Sequence, residues 1–474
     1  MNASRPLRLL LASLCLPLAA QEKPVLTRDL AQVAAAYAAK VAASAIFVSG
    51  RTLDSVLAEE LAPDHALEAL IRPFAKFDVD RDAGTVTCSL GGVTATAVCT
   101  QNLGCTLAIA GAGIAALRRR GAPGLASLEP DPAAVDWPRG DRVPPPGAGG
   151  DGVDHAALAK VMDAAFAEPA GRPKVHTRAV VVACRGRLVA ERYAAGYDAA
   201  MPLPGWSMTK SITGALVALA AAAGKLDPAA PLAVPEWPEG DARRALRLSD
   251  LMTMTSGLAW NESYDDPASD ALRMLFASAD HGGVQAQRAP AAPPGTTYRY
   301  SSGTTNLVCR ELRRAFADDL AYWAFPRVAL FAPLGMRSAV VETDPSGTFV
   351  GSSYGFATAR DWARLGLLYA GDGEFAGQRL LPAGWLAAVS KPVPPSDGAF
   401  GRHVWLNADP DGDGPRERMW PDLPADLVHM DGHQGQYVVV FPTQRIVVVR
   451  LGCTKSGGFD LRGLLAGVLA ACKV

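Results

Sequence analysis

The spacing of apolar residues divides the chain into two parts with different patterns. Residues 25–62 carry apolar side chains at helical spacing, including an alanine-rich stretch, and this pattern predicts mostly helix. From Phe77 to Ile109 the pattern changes to short runs such as Val93 to Val98, which are typical of β-strands. This first part is therefore predicted to be a small α+β region, and it contains no recognisable catalytic constellation.

A segment rich in proline and glycine follows this region. It covers residues 130–150 and includes Pro144-Pro145-Pro146-Gly147, a composition that predicts a linker. The domain prediction is therefore a leader over residues 1–20, an α+β region over 21–129, a linker over 130–150 and a large domain over 151–474.

The large domain begins and ends with strand patterns and is helical between them. Its early elements are a helix, a hairpin turning at Arg185-Gly186 and an apolar helix that stops at Gly224: Ala156 to Phe166, Ala179 to Cys184 with Leu188 to Tyr193, and Ser207 to Ala223. Further helical signals lie at Asp250, Asp270, Thr305 and Ala359, before two strands and a last helix: Gln436 to Phe441, Arg445 to Leu451, and Leu461 to Cys472. This order predicts one sheet built from sequence-distant strands, with a helical insertion.

The first twenty residues resemble a targeting signal. Arg5 and Arg8 precede an apolar run from Leu9 to Leu18, and the small residues Ala19 and Ala20 follow. The run is shorter than the about 20 residues that span a bilayer. A signal peptide cleaved near Ala20 is predicted, with export to the periplasm or the medium and no stable membrane anchor. The alternative is a buried helix at the start of a cytosolic protein.

Composition and charge narrow the classes of partner. The formal net charge is −1 and no basic stripe stands out, so nucleic acid is not an expected partner.

Seven cysteines would remain after loss of Cys15, and a bridge within the group Cys88, Cys99 and Cys105 is plausible. The acidic runs at Asp78–Asp82 and Asp409–Asp413 lack the final glutamate of a calcium loop. The expectation is no metal and no cofactor.

The candidate chemistry begins at Ser207-Met208-Thr209-Lys210. Residues three apart at the start of a helix lie on one face, so the serine oxygen and the lysine nitrogen can meet. A partly buried lysine can lose its proton near neutral pH and accept the proton of a nucleophilic serine. The alternative is a purely structural role, with a helix-capping serine beside a solvated lysine. A lysine at the start of so apolar a helix would, however, need a partner.

Two later segments supply possible partners. Tyr300, in Tyr298-Arg299-Tyr300-Ser301-Ser302-Gly303, offers a hydroxyl that could share a proton with Lys210. Gly432-His433-Gln434-Gly435-Gln436 precedes a strand, and its glycines would allow a strand edge to approach a substrate. A core tyrosine and a turn histidine are the alternatives if each segment is taken alone.

Together these segments resemble the class C β-lactamase and penicillin-binding-protein-like serine hydrolases, over roughly Ala179 to Leu451. Within that group the chain looks most similar to 6-aminohexanoate-dimer hydrolase-like proteins, because of Gly205-Trp206-Ser207-Met208-Thr209-Lys210 and Tyr300-Ser301-Ser302-Gly303. The resemblance implies an α/β (α+β) fold, in which an antiparallel sheet is flanked by helices and carries a helical insertion. Residues 151–474 would form this hydrolase domain.

The resemblance also implies roles for individual residues. Ser207 would be the acylated nucleophile, Lys210 its proton acceptor and Tyr300 the shared acid and base. Backbone N–H groups of Ser207 and Gln436 would form the oxyanion hole. The residues expected to contact substrate are Ser302, His433, Gly435 and Tyr264, the last in the loop Asn261 to Asp266.

Two departures from the family pattern bear on the substrate. Ser302 stands where β-lactamases usually have asparagine, and His433-Gln434-Gly435 stands where they have Lys-Thr-Gly. Because that lysine helps to hold the carboxylate of a β-lactam, hydrolysis of small esters or amides is the better expectation. The alternatives are a D,D-peptidase or weak β-lactamase, and a non-catalytic protein that binds peptides or cell-wall fragments on the same fold.

Overall fold

The computed structural model describes residues 27–62, 66–109, 113–122, 131–143, 152–170, 174–408, 418–454 and 458–473. The predicted signal peptide, the run Asp409–Asp413 and part of the predicted linker lie outside these residues. In the N-terminal region the elements are α1 Arg28–Phe47, α2 Leu53–Ala58, α3 Ala66–Ile71, β1 Lys76–Asp80, β2 Thr85–Leu90, β3 Val93–Thr100, β4 Gly104–Leu107 and α4 Ile114–Arg118.

The large domain begins at α5. Its first elements are α5 His155–Phe166, β5 Thr177–Cys184, β6 Arg187–Tyr193, β7 Leu203–Pro204, α6 Thr209–Ala222, α7 Leu248–Met252, α8 Asp270–Ala277, α9 His281–Ala286 and α10 Ser302–Arg314. The next are α11 Asp319–Pro326, α12 Ala332–Leu334, β8 Val340–Val341, β9 Gly355–Ala357, α13 Ala359–Ala370, β10 Glu374–Phe375, β11 Gln378–Arg379 and α14 Trp385–Val389. The last are β12 Trp405–Leu406, β13 Val428–Gly432, β14 Gln436–Phe441, β15 Ile446–Gly452 and α15 Leu461–Ala471.

A six-stranded antiparallel sheet forms the centre of the large domain, in the order β12-β13-β14-β15-β5-β6. The C-terminal strand β15 pairs with the early strand β5, so the predicted sheet of sequence-distant strands is confirmed. Alternate residues face opposite sides, because successive side chains of a strand point to opposite faces. Val181 packs with α6 and α13 in one core, whereas Val180 and Val182 pack with α5 and α15 in another.

The N-terminal region folds as predicted, with helices followed by an antiparallel sheet in the order β1-β2-β3-β4. Helix α1 packs across this sheet. Among the described residues, α1 is the one helix long and apolar enough to cross a membrane, but 78% of its apolar window is buried inside the protein. No disulfide forms among the described cysteines, although Cys99 and Cys105 are directly paired across β3 and β4.

Buried charges join the N-terminal region to the large domain. The carboxylate of Glu342, just after β8, forms an ion pair with Lys40 of α1 and accepts hydrogen bonds from Ser44 and from the backbone N–H of Cys105. Arg178 of β5 is paired with Glu59 and with Glu60. The N-terminal region is therefore packed onto the large domain through desolvated ion pairs.

The described part of the predicted linker, residues 131–143, is also packed against the large domain. The guanidinium of Arg364 in α13 donates to the carbonyl oxygens of Pro138 at 2.7 Å and Gly140 at 2.6 Å. Because Arg364 is buried, its N–H groups need acceptors, and this segment supplies them. The Pro/Gly composition is typical of a flexible connection, and it does not indicate that this segment packs against α13.

Candidate active site

Ser207 lies in a tight turn that leads into helix α6. Residues Trp206–Met208 form a 3-10 turn, and Trp206 has a left-handed φ of 47°. The carbonyl oxygen of Trp206 accepts a hydrogen bond of 2.6 Å from the hydroxyl of Thr209. A Cβ atom at Gly205 would lie 2.2 Å from the ring of Trp362, so only glycine fits before the turn. Such strained turns persist where the surroundings hold them, and they are common at functional sites.

Lys210 lies one helical turn from Ser207, as the spacing predicts. Its Nζ lies 3.1 Å from Ser207 Oγ, 3.0 Å from Ser302 Oγ and 3.0 Å from the carbonyl oxygen of Ser352. The side chain is buried. Desolvation lowers the pKa of Lys210 to about 8, against the opposing charge of Glu262, which raises it. Lys210 is therefore about one tenth neutral amine at pH 7 and about half neutral amine at pH 8.

Tyr300 lies on the other side of the same two residues. Its side chain faces Ser207, and burial raises the pKa of Tyr300 well above its usual value, so the phenol keeps its proton. Lys210 Nζ lies 4.7 Å from the centre of the Tyr300 ring, which stacks on Trp405 at 5.3 Å. The structure thus brings together the three residues predicted to carry the chemistry.

An open cavity of about 520 Å³ lies above Ser207. Four other predicted site residues line it: Tyr300, Tyr264, His433 and Gly435. The ring of Tyr264 stacks on that of His433 at 4.8 Å, and His433 also meets the edge of Trp206 at 5.4 Å. Tyr264 and His433 therefore form one wall beside the nucleophile.

Two predicted site residues occupy other positions. Ser302 is buried beneath the cavity, where its hydroxyl contacts Lys210 and Glu262. Gln436 is buried in β14, and its side-chain amide pairs with the backbone of Gly452 in β15. The side chains of both residues are therefore engaged outside the cavity lining, and the backbone N–H of Gln436 stays a predicted oxyanion donor.

The strand edge at the cavity belongs to β13, which the sequence analysis did not predict. Strand β13 packs against the Trp206–Met208 turn, and its last residue, Gly432, lines the cavity. A Cβ atom at Gly432 would lie 2.1 Å from the carbonyl oxygen of Gly205. Only glycine therefore allows this backbone to approach the nucleophile turn so closely.

Three carboxylates that the sequence analysis passed over also line the cavity: Glu262, Asp265 and Asp431. Burial raises the pKa of Asp431 to about 7. Glu262 and Asp265 flank Tyr264 in the acidic loop already singled out, so this loop carried a signal for them. Within the described ranges no group of three or more His, Cys, Asp and Glu side chains could hold a metal ion.

This arrangement contains the parts of a covalent acyl-transfer site. A serine oxygen lies within hydrogen-bond reach of an amine with a lowered pKa, and a protonated phenol stands beside both. The start of α6 adds backbone N–H groups and a positive potential next to the serine.

Comparison with known families gives one match over most of the large domain. The Beta-lactamase family profile matches residues 162–470, which is more than half of the chain.

Individual relatives point in the same direction. The chain is 25% identical over 292 residues to the 6-aminohexanoate-dimer hydrolase of Paenarthrobacter ureafaciens, covering 58% of this chain and 72% of that protein. A Bacillus anthracis structure assigned as a 6-aminohexanoate-dimer hydrolase aligns with a TM-score of 0.50 at 22% identity, over 62% of this chain and 78% of that one. A family VIII carboxylesterase aligns with a TM-score of 0.50 at 15% identity, over 67% of this chain and 97% of that one. The two structural matches establish a shared fold.

Proposed function

Because the chain belongs to the β-lactamase family of serine hydrolases, we propose that it cleaves ester or amide bonds of small acyl substrates through an acyl-enzyme on Ser207. The observation that carries the proposal is the contact of 3.1 Å between Ser207 Oγ and Lys210 Nζ beside Tyr300, at the floor of an open cavity. The named activity of the Paenarthrobacter ureafaciens relative, hydrolysis of 6-aminohexanoate dimer, supports an amide among the substrates.

The proposed reaction follows from these positions. Neutral Lys210 accepts the proton of Ser207 as the serine oxygen bonds to the substrate carbonyl carbon. Backbone N–H groups at Ser207 and at the Gly432 end of β13 stabilise the oxyanion, and Gly432 joins Gln436 as a candidate for the second donor. Tyr300 donates a proton to the leaving group as the scissile bond breaks, and its proton is replaced from Lys210. A water molecule then hydrolyses the ester on Ser207.

The direct test is labelling of the intact protein with a fluorophosphonate probe, followed by mass mapping of the modified peptide. The expected result is one adduct, on Ser207. A protein that hydrolyses p-nitrophenyl esters without any modification of Ser207 would exclude this mechanism.

The activity is expected to depend on pH with a midpoint near 8. Lys210 is active as the neutral amine, so kcat/KM for a p-nitrophenyl ester should rise with pH through the Lys210 pKa of about 8 and reach a plateau above it. Tyr300 stays protonated in this range, because burial holds the pKa of Tyr300 far higher. An acidic limb with a midpoint below pH 6.5 would argue against Lys210 as the base, provided that the fold is intact at each pH.

The carboxylates around the cavity predict discrimination by substrate charge. In assays at pH 8, where Asp431 with a pKa of about 7 is mostly ionised, Glu262, Asp265 and Asp431 should repel an anionic acyl chain and attract a cationic one. The p-nitrophenyl esters of hexanoate, 6-aminohexanoate and adipate differ mainly in the charge at the end of the chain. We expect kcat/KM for the adipate ester to be at least about tenfold below that of the hexanoate ester, with 6-aminohexanoate at least equal to hexanoate.

Salt provides the internal control for this series. Exposed charges are screened at high ionic strength, so the difference between the adipate and hexanoate esters should shrink in 1 M salt. Equal rates for all three esters at low salt would show that these carboxylates do not select the substrate.

We also propose that the protein is exported. The support is the sequence of the first twenty residues, in which Arg5 and Arg8 precede the apolar run Leu9 to Leu18.

A further inference from the structure

Ser302 connects the candidate base to a carboxylate in the helical insertion. It is the first residue of α10 and lies between Lys210 on one side and Glu262 on the other. Its Oγ is 3.0 Å from Lys210 Nζ and 2.5 Å from Glu262 Oε1. A chain of hydrogen bonds therefore runs from Ser207 through Lys210 and Ser302 to Glu262.

The direction of this chain follows from what Glu262 can do. Its carboxylate accepts from the hydroxyl of Ser302, from the backbone N–H of Ser302 at 2.8 Å and from Nε1 of Trp260. An ionised carboxylate has no proton to donate. The hydroxyl proton of Ser302 must therefore point to Glu262, which leaves the oxygen lone pairs of Ser302 for Lys210.

This direction determines where the lone pair of Lys210 points. A neutral amine has two N–H groups and one lone pair, and Lys210 Nζ has three partners. The carbonyl oxygen of Ser352 can only accept, and Ser302 is limited to accepting because its proton is engaged. Both N–H groups are then used, so the remaining lone pair faces the hydroxyl of Ser207.

We propose that Glu262 is a positioning residue that fixes the direction of this hydrogen-bond chain, so that neutral Lys210 presents its lone pair to Ser207. The proposal rests on the acyl-enzyme function of Ser207. When Ser207 Oγ attacks a carbonyl carbon, its proton moves to Lys210 Nζ, and the new ammonium keeps two N–H bonds to Ser352 and Ser302. Its third proton is available to Tyr300 and the leaving group. Glu262 gains and loses nothing in the step.

The charge of Glu262 has a second effect, on the pKa of Lys210. Glu262 raises this pKa against the larger lowering by burial. The other titratable groups that face Lys210 are Cys309, whose charge would also raise the pKa, the phenol of Tyr300, and His403, a neutral imidazole because burial lowers its pKa to about 3. Tyr300 in turn faces Asp431 and Tyr264. Removing the charge of Glu262 should therefore lower the pKa of Lys210.

The test is the pH profile of kcat/KM for p-nitrophenyl hexanoate in Glu262→Gln. Glutamine keeps the shape but replaces one acceptor oxygen by an NH₂ donor, so Ser302 is free to turn its proton toward Lys210. We expect the plateau to fall about tenfold or more and the midpoint of the acidic limb to move to lower pH. The matched control is Glu239→Gln, the same change at an exposed carboxylate, which should leave both quantities at wild-type values.

A second variant distinguishes the effect of Glu262 on the direction of the hydrogen-bond chain from the effect of its charge on the pKa of Lys210. Ser302→Ala removes the connection but keeps the carboxylate, so it should lower the plateau while the midpoint stays near that of the wild type. In the Ser302→Ala background, Glu262→Gln should lower the plateau by less than about twofold, since coupled residues are not additive, and should still lower the midpoint.

Three outcomes would overturn the proposal. They are a wild-type plateau in Ser302→Ala, a wild-type profile in Glu262→Gln, and an equal loss from Glu262→Gln in both backgrounds. Failure of the proposed function is a different result, namely a wild-type protein in which no probe or ester modifies Ser207. Near-ultraviolet circular dichroism of each variant shows whether the fold is retained.

Discussion

Replacing Ser207 with alanine is expected to lower kcat/KM for p-nitrophenyl hexanoate by at least about 10⁴-fold. The change removes the oxygen that forms the acyl-enzyme, while Lys210 and Tyr300 keep their places. The hydroxyl lies at the floor of the cavity with its oxygen 3.1 Å from Lys210 Nζ, so its loss leaves no nucleophile at that point. The measurement is steady-state hydrolysis, together with the intact mass of the protein after incubation with a fluorophosphonate.

A matched control for this variant is Ser55→Ala. Ser55 lies in α2 of the N-terminal region, where its half-buried hydroxyl donates to the carbonyl oxygen of Thr52. This variant should keep full activity and full labelling. Unchanged hydrolysis in Ser207→Ala would contradict the acyl-enzyme mechanism. Absence of hydrolysis in the wild type, with intact binding of peptides or cell-wall fragments, would favour the binding-protein alternative.

Replacing Lys40 with methionine is expected to lower the free energy of unfolding by about 3–5 kcal/mol, because it leaves the buried carboxylate of Glu342 without its counter-ion. The side chains of Lys40 and Glu342 are 4% and 0% exposed, so water cannot replace the lost partner. Ser44 and the N–H of Cys105 would remain as donors to an unpaired charge. Denaturant unfolding followed by fluorescence measures the change.

Two further variants show whether the buried charge is responsible. Adding Glu342→Gln to Lys40→Met should recover part of the lost stability, because the carboxylate that lacks a partner is then gone. Arg142→Met breaks an ion pair with Asp136 in which both side chains are more than half exposed, and it should cause no measurable change. Equal effects of Lys40→Met and Arg142→Met would show that the buried pair does not hold the two regions together.

The Lys40–Glu342 pair also reaches the candidate site. The backbone of Glu342 bonds with Val350 and Tyr354, and Lys40 Nζ lies 3.9 Å from the ring centre of Tyr354. Ser352 lies between Val350 and Tyr354 in the chain, and its carbonyl oxygen accepts a hydrogen bond from Lys210. The N-terminal region, which has no catalytic constellation of its own, therefore supports a segment that holds the candidate base.

Much of the fold follows from local patterns. The helices at Asp270 and Ala359, the hairpin at Arg185-Gly186 and the helix stop at Gly224 are all confirmed, since each depends on residues close together in the chain. Strand β13 was missed because its five residues include a histidine, an aspartate and a glycine, which hide the apolar alternation. The sequence analysis accordingly assigned the oxyanion donor to the backbone N–H of Gln436, in the next strand, and that assignment stays a prediction.

The sequence by itself determined that the side chains of Ser207 and Lys210 lie close together. Two residues that are three positions apart at the start of a helix lie on the same face, whatever surrounds them. It also determined the family, through three ordered motifs. Only the tertiary structure decided what lies around that pair. Glu262 in the insertion, Gly432 at the end of β13 and Lys40 in α1 are far apart in the chain. Burial, a lowered pKa and the direction of a hydrogen bond depend on which distant groups pack together, and residue spacing alone does not specify them.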